Sequence, residues 1–292
     1  METKKKKIGF ILNPYAGIGG KAGLKGSDNY KKIEKLLLEG CERTAPKRAE
    51  SCMSKIADLT ASLVAGDKGS VGEKNFSILS APGDMGEALL KKLKIPCDVV
   101  LCPKADTSSA EDTKLCAQIM KEQGVDLLVF CGGDGTARDI CEAVGTDVTV
   151  LGIPAGVKMY SACYACNPYQ AGEMLAGWLE GKEMSYEMRE VLDIEEKDLD
   201  SRNISPQLYG FLEVLSDGKH LQKAKELDFG SGESATIIAR AAILRMEKDW
   251  VYIIGPGGTT WKIKELLCEN DEQEDTGKKN VHGTVRGVDV IR

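Results

Sequence analysis

Short runs of β-branched and aliphatic residues alternate with longer amphipathic stretches through roughly the first three-fifths of the chain. The apolar runs predict strands over Lys7–Leu12, Phe76–Leu79, Asp98–Cys102, Asp126–Cys131 and Val148–Ile153. Between them the spacing predicts helices over Tyr30–Leu38 after Asp28, Met85–Leu93 after Asp84, Ala110–Glu122 after Ser109, and Ala137–Val144. Residues 158–168 (KMYSACYACNP) also read as helical, and 41–74 as a loop or insertion with one helix around Met53–Val64 and no chemistry. Such alternation is the signature of βαβ units on a parallel sheet. Beyond residue 182 the pattern predicts strands over Tyr186–Ile194, Gln207–Val214, Trp250–Ile254 and Thr284–Ile291, and helices over Ser234–Glu247 and Trp261–Leu267. The expected architecture is α/β: an N-terminal, mostly parallel sheet flanked by helices in 1–182, and a smaller α/β or α+β lobe in 183–292.

Composition narrows the function classes. With 42% hydrophobic and 29% charged residues the 292-residue chain has the make-up of a core-forming globular protein. A net charge of −6 argues against a general nucleic-acid or anionic-membrane binder and for small-molecule partners. A homo-oligomer is expected. The lysines before Ile8–Leu12 imitate a secretion signal, but that apolar run is too short for one, and no stretch has the length of a membrane span. Ten scattered cysteines, with a lone CxxC at Cys163 and Cys166, read as reduced thiols of a cytoplasmic protein. The two histidines, His220 and His282, lie in polar segments and are expected at the surface, which leaves a carboxylate as the base for any acid–base chemistry.

The chemistry is concentrated at strand ends. Asp126–Cys131 runs into Gly132-Gly133-Asp134-Gly135-Thr136 and then directly into a helix. Glycines at such a corner let an anion approach the amides, and the helix adds its unpaired N–H groups and dipole. An aspartate among groups that attract phosphate is electrostatically unfavourable unless it binds a cation or takes a proton from a hydroxyl attacking phosphorus. A plain tight turn with a capping aspartate is the alternative. Three more turns follow strands in the same way: Asn13-Pro14-Tyr15-Ala16-Gly17, Pro154-Ala155-Gly156-Val157-Lys158, and Gly255-Pro256-Gly257-Gly258-Thr259-Thr260. Lys158 can meet phosphate as a point charge, and Thr259 and Thr260 can cap a helix or touch substrate. Asp139, one helical turn past Asp134, reads as a surface helix acid, with support of Asp134 or of a metal as the alternative. Gly20-Lys21-Ala22 fails the phosphate-loop pattern GxxxxGK[ST], and Gly17–Ala22 matches GxGxxA but does not open directly after its strand.

The ordered set NPYAG, GGDGTARDI, GIPAGVKMYSACYACNP and GPGGTTW resembles the ATP-NAD kinase superfamily, in the branch of predicted ATP- or polyphosphate-dependent NAD kinases. The GGDGT turn is shared with diacylglycerol and sphingosine kinases and 6-phosphofructokinases. The resemblance implies phosphoryl transfer from ATP or polyphosphate to the 2′-hydroxyl of NAD, with Mg²⁺. Carried over, Asp134 is the acid beside the acceptor hydroxyl, Gly132, Gly133, Gly135 and Thr136 line the phosphates, and Asn13 and Gly17 shape the neighbouring wall. Gly156, Lys158, Gly257, Thr259 and Thr260 complete the implied nucleotide-binding set, and no metal ligands are assigned. Three departures stand out: no Asn-Glu pair for the ribose follows Pro154, the second lobe reads as partly helical where such kinases are mostly β, and the sequence stops at GVDVIR where the resemblance leads one to expect more, which implies a truncated or divergent lobe. A non-catalytic nucleotide-binding protein and a lipid kinase are the alternatives.

Overall fold

The computed structural model describes residues 5–18, 35, 37–64, 76–102, 108–156, 159–193, 206–222, 232–247, 250–255, 258–271 and 289–291. The expected cap Asp28, most of the Tyr30–Leu38 helix, Lys158, Gly257 and His282 lie outside the described residues.

The chain divides into two compact units, Met1–Lys225 and Glu226–Arg292. In the first, seven strands form one sheet in the order β3-β2-β1-β4-β5-β7-β6. These are β1 (Lys6–Leu12), β2 (Phe76–Ser80), β3 (Asp98–Val99), β4 (Leu127–Gly132), β5 (Val150–Pro154), β6 (Ser185–Asp193) and β7 (Gln207–Ser216). Every pairing is parallel except β6 with β7. Helices α1 (Thr44–Val64), α2 (Glu87–Lys92), α3 (Ala110–Glu122), α4 (Asp134–Val144) and α5 (Pro168–Leu179) connect and cover the strands. All of β4 is buried, as a central strand covered on both faces must be. The α/β expectation therefore holds, with the parallel strands β1 to β5 within a residue or two of their predicted positions apart from β3, which is two residues long.

The sequence boundary at 182/183 falls inside the first unit. Strands β6 and β7, read as the start of a second lobe, instead extend the main sheet beyond β5. The second unit holds α6 (Gly232–Ile243), β8 (Tyr252–Ile254), α7 (Gly258–Asp271) and β9 (Asp289–Ile291), with β8 and β9 antiparallel.

Two segments depart from their expected form. The insertion 41–74 supplies α1, a 21-residue helix whose Ala45, Ala49, Cys52, Met53 and Ile56 are all fully buried. Residues 159–166 are not helical: Tyr164 bridges Gly152 in parallel and Ala165 bridges Leu221 antiparallel, so their main-chain groups go to neighbours distant in sequence. Gly152 makes room for this, since a Cβ there would lie 2.6 Å from Cys163 O and from the Tyr164 ring. The helix in this region begins later, at α5, where the Asn167 side chain caps the Gln170 amide at 2.9 Å and Pro168 occupies the first turn.

Candidate functional site

In the order 3-2-1-4-5 the chain winds outward from β1 in one direction and from β4 in the other, so the topological switch point lies between them. Open sheets of this kind bind ligands outside the carboxyl ends of the strands at that point. The turns after β1 and β4 meet there. Asn13 Nδ2 donates to Thr136 Oγ1 at 3.0 Å, while Asn13 Oδ1 accepts the Tyr15 amide at 3.1 Å. One side chain thus closes its own turn and ties it to the next. Arg43 lies 5.0 Å over the Tyr15 ring and pairs with Asp84 at 2.7 Å, holding the outer side of the NPYAG turn.

Glycine is required where these turns cross. Gly17 has φ +78°, and a Cβ there would lie 2.1 Å from Ala155 O. The turn after β5 is held in turn by Ala155 N donating to Gly132 O at 2.8 Å, and Arg48 Nη1 donates to Pro154 O at 3.0 Å. A Cβ on Gly132 would lie 2.3 Å from Thr136 Cβ, so the threonine folds back over the bare glycine. Thr136 is buried, and its hydroxyl oxygen accepts the Asn13 side-chain amide. Gly133 caps α4 without a side-chain bond, and a Cβ on Gly156 would lie 3.2 Å from Gly133 Cα.

Asp134 begins α4 and is half-buried. Its Oδ2 accepts the Tyr160 amide at 2.8 Å and its Oδ1 the Ser161 amide at 2.9 Å. Burial pushes its carboxyl above the usual carboxylate range, the Ser161 and Tyr160 amides and the Ser161 hydroxyl oppose that shift, and the charge of Asp193 adds to it. The carboxylate is therefore fixed in orientation by the Tyr160 and Ser161 amides, with lone pairs left to accept a proton. Tyr164 Oη donates to Gly133 O at 2.6 Å from beneath, with its ring edge-on to Phe130. On the far side Arg138 Nη1 pairs with Asp193 Oδ2 at 3.1 Å, and that same oxygen lies 3.9 Å from where a Cβ of Gly135 would be.

The fold thus brings together Asn13, Gly17, Gly132, Gly133, Asp134, Gly135, Thr136 and Gly156 from the sequence-derived set. Thr259 and Thr260 belong to the second unit, in the first turn of α7. Asp139, expected at the surface, is buried, with the Arg138 guanidinium 4.0 Å away, because α4 packs on both its faces. His220, also expected at the surface, is half-buried, with Nδ1 2.6 Å from Asp217 Oδ2. Tyr160, Ser161, Tyr164 and Asp193 were not singled out from the sequence. The first two hold Asp134 through main-chain amides, which leave no signature in residue type.

Among the described residues no group of three or more His, Cys, Asp or Glu side chains is arranged to hold a metal ion. No protein cage for Mg²⁺ is therefore assigned; the ion commonly reaches such sites on substrate phosphates, with several of its waters retained. No helix among the described residues is long and apolar enough to cross a membrane.

A family model described as the ATP-NAD kinase N-terminal domain matches residues 8–183, a span that includes the turns after β1, β4 and β5. No curated protein and no solved structure matches the chain.

Proposed function

The chain belongs to the ATP-NAD kinase family, and on that premise we propose that it transfers a phosphoryl group from ATP or polyphosphate to the 2′-hydroxyl of NAD, giving NADP, with Asp134 as the base. The observation that carries the reading is the setting of Asp134. It is a carboxylate in the first turn of α4, at the switch point, oriented by two amides in the midst of groups that favour anions.

The reaction follows from that setting. The acceptor hydroxyl oxygen forms a bond to the terminal phosphorus as the bond from that phosphorus to the bridging oxygen breaks, and the hydroxyl proton passes to a free lone pair of Asp134. The amides of Gly133, Asp134 and Gly135 at the start of α4 offer donors to the phosphate oxygens where negative charge accumulates. Mg²⁺ bound to the donor would offset part of that charge. The sequence-derived contributions of Lys158, Gly257, Thr259 and Thr260 to nucleotide binding, and a cytoplasmic location, belong to the same proposal.

The test is formation of NADP from NAD, ATP and Mg²⁺, repeated with polyphosphate as donor and with NADH or a lipid alcohol as acceptor. Asp134→Asn is expected to lower kcat by about 100- to 10,000-fold, the usual contribution of a positioned base, while ATP still binds. ATP binding without transfer to any acceptor would instead identify a non-catalytic nucleotide-binding protein, and full turnover by Asp134→Asn would remove the aspartate from the chemistry.

A further inference from the structure

Ser161 is 2% exposed, and its hydroxyl engages strand β6 as well as lying beside the Asp134 carboxyl. Its Oγ donates to Leu192 O at 2.8 Å and accepts the Leu192 amide at 3.0 Å. The next residue continues the contact, with Ala162 N donating to Glu190 O at 3.1 Å. Residues 161 and 162 are thereby laid along the carboxyl-terminal end of strand β6. The register between β6 and β7 shifts between Val191 and Leu192, at the same place. Irregularities of this kind re-aim main-chain groups beside functional sites, and here both main-chain groups of Leu192 go to one serine. That serine's own amide holds Asp134 Oδ1.

We infer that Ser161 is a positioning residue for the transfer: by clasping Leu192 with its hydroxyl it fixes the amide that orients the Asp134 carboxylate toward the acceptor. This deepens the reading of Asp134 as base and rests on it. Without the hydroxyl, the segment keeps only the Ala162 contact to β6, the Ser161 amide drifts, and the carboxylate is left oriented by the Tyr160 amide alone. Binding of the donor depends on other groups and is untouched. Burial would then be less opposed, so the Asp134 carboxyl would move further upward. Among the described residues, the titratable and charged groups facing Asp134 are Asp193 on β6, with its partner Arg138 on α4, and the Cys163 thiol and Tyr164 phenol. All remain in place in the variant.

The experiment is a double-mutant cycle in the full chain, with NAD, ATP and Mg²⁺ as substrates and kcat, KM and the pH profile as readouts. Ser161→Ala is expected to lower kcat by about ten- to a hundredfold, the cost of misplacing a reacting group by about an ångström. ATP KM should stay constant and the acidic limb of kcat should move to higher pH. Ser161→Thr should recover most of the loss, and Ser161→Ala should add nothing in the Asp134→Asn background, as for groups acting as a unit. If Ser161→Ala melts below the assay temperature, Ser161→Cys gives the same comparison. Equal multiplicative losses in both backgrounds, or an unmoved acidic limb, would overturn the role of Ser161 and leave Asp134 as base. An Asp134→Asn enzyme of full activity would overturn both.

Discussion

Burial raises the Asp134 carboxyl against the opposing pull of the amides that orient it, and two residue-scale expectations follow. Because burial raises its carboxyl, the acidic limb of kcat should have its midpoint above the ordinary aspartate value of about 3.9. Stability follows the same sign. A carboxyl raised in the folded state contributes stability that is fully present below its unfolded value and is lost as pH rises through the folded one. The stability of the protein relative to Asp134→Ala should therefore fall as pH climbs through that window, read by denaturant melts at a series of pH values. At Gly17, alanine would have to adopt φ +78° with its Cβ 2.1 Å from Ala155 O. The left-handed conformation alone costs about 1–2 kcal/mol, so Gly17→Ala should lower the unfolding free energy by at least that much, as denaturant melts would read, and reduce turnover with it.

At the scale of elements, the site depends on loops braced against one another more than on any one helix. Asn13 closes the turn after β1 and grips the start of α4. Asn13→Ala should cost about 1–3 kcal/mol for the partners left without it, whereas Asn13→Asp keeps the bond to the Tyr15 amide and should lose less, a difference that paired urea melts would measure. These braces also explain which elements could be read from the sequence. Strand β4 is apolar along its whole length, and α3 has a reciprocal cap in which Ser109 and Asp112 bond each other's amides, so both stood out locally. The segment 159–166 had the residue composition of a helix, and only its contacts with β5, β6 and residue 221 make it irregular. α5 was announced by Asn167-Pro168, a start signal hidden behind the supposed helix before it. α1 was read too short, because its first buried residues, Ala45 and Ala49, are small and give little apolar signal. Small residues are what let it approach α5: a Cβ on Gly172 would meet Cys52 O at 2.6 Å.

For the molecule as a whole, the turns that carry the proposed chemistry were legible because glycine, proline and asparagine at strand ends are local signals. Their convergence was not, since it depends on strand order. The placement of β7 between β5 and β6 has no local mark, which is why two strands of the main sheet were assigned to the other lobe. That no cluster of His, Cys, Asp and Glu among the described residues is arranged to hold an ion carries its own expectation. Chelation with EDTA should abolish phosphoryl transfer yet leave the melting temperature unchanged, as scanning calorimetry would record; a large drop would reveal a structural metal.

The position of β1 in the middle of the sheet reaches beyond catalysis to how the protein is made. Its Ile8 pairs with Leu127 on one side and Ile78 on the other, so a strand synthesised ahead of both neighbours waits for them to follow. Contacts so remote along the chain slow folding. During that interval an apolar strand with two unsatisfied edges is available to chaperones or to other nascent chains, so translation rate through β4 becomes a determinant of yield.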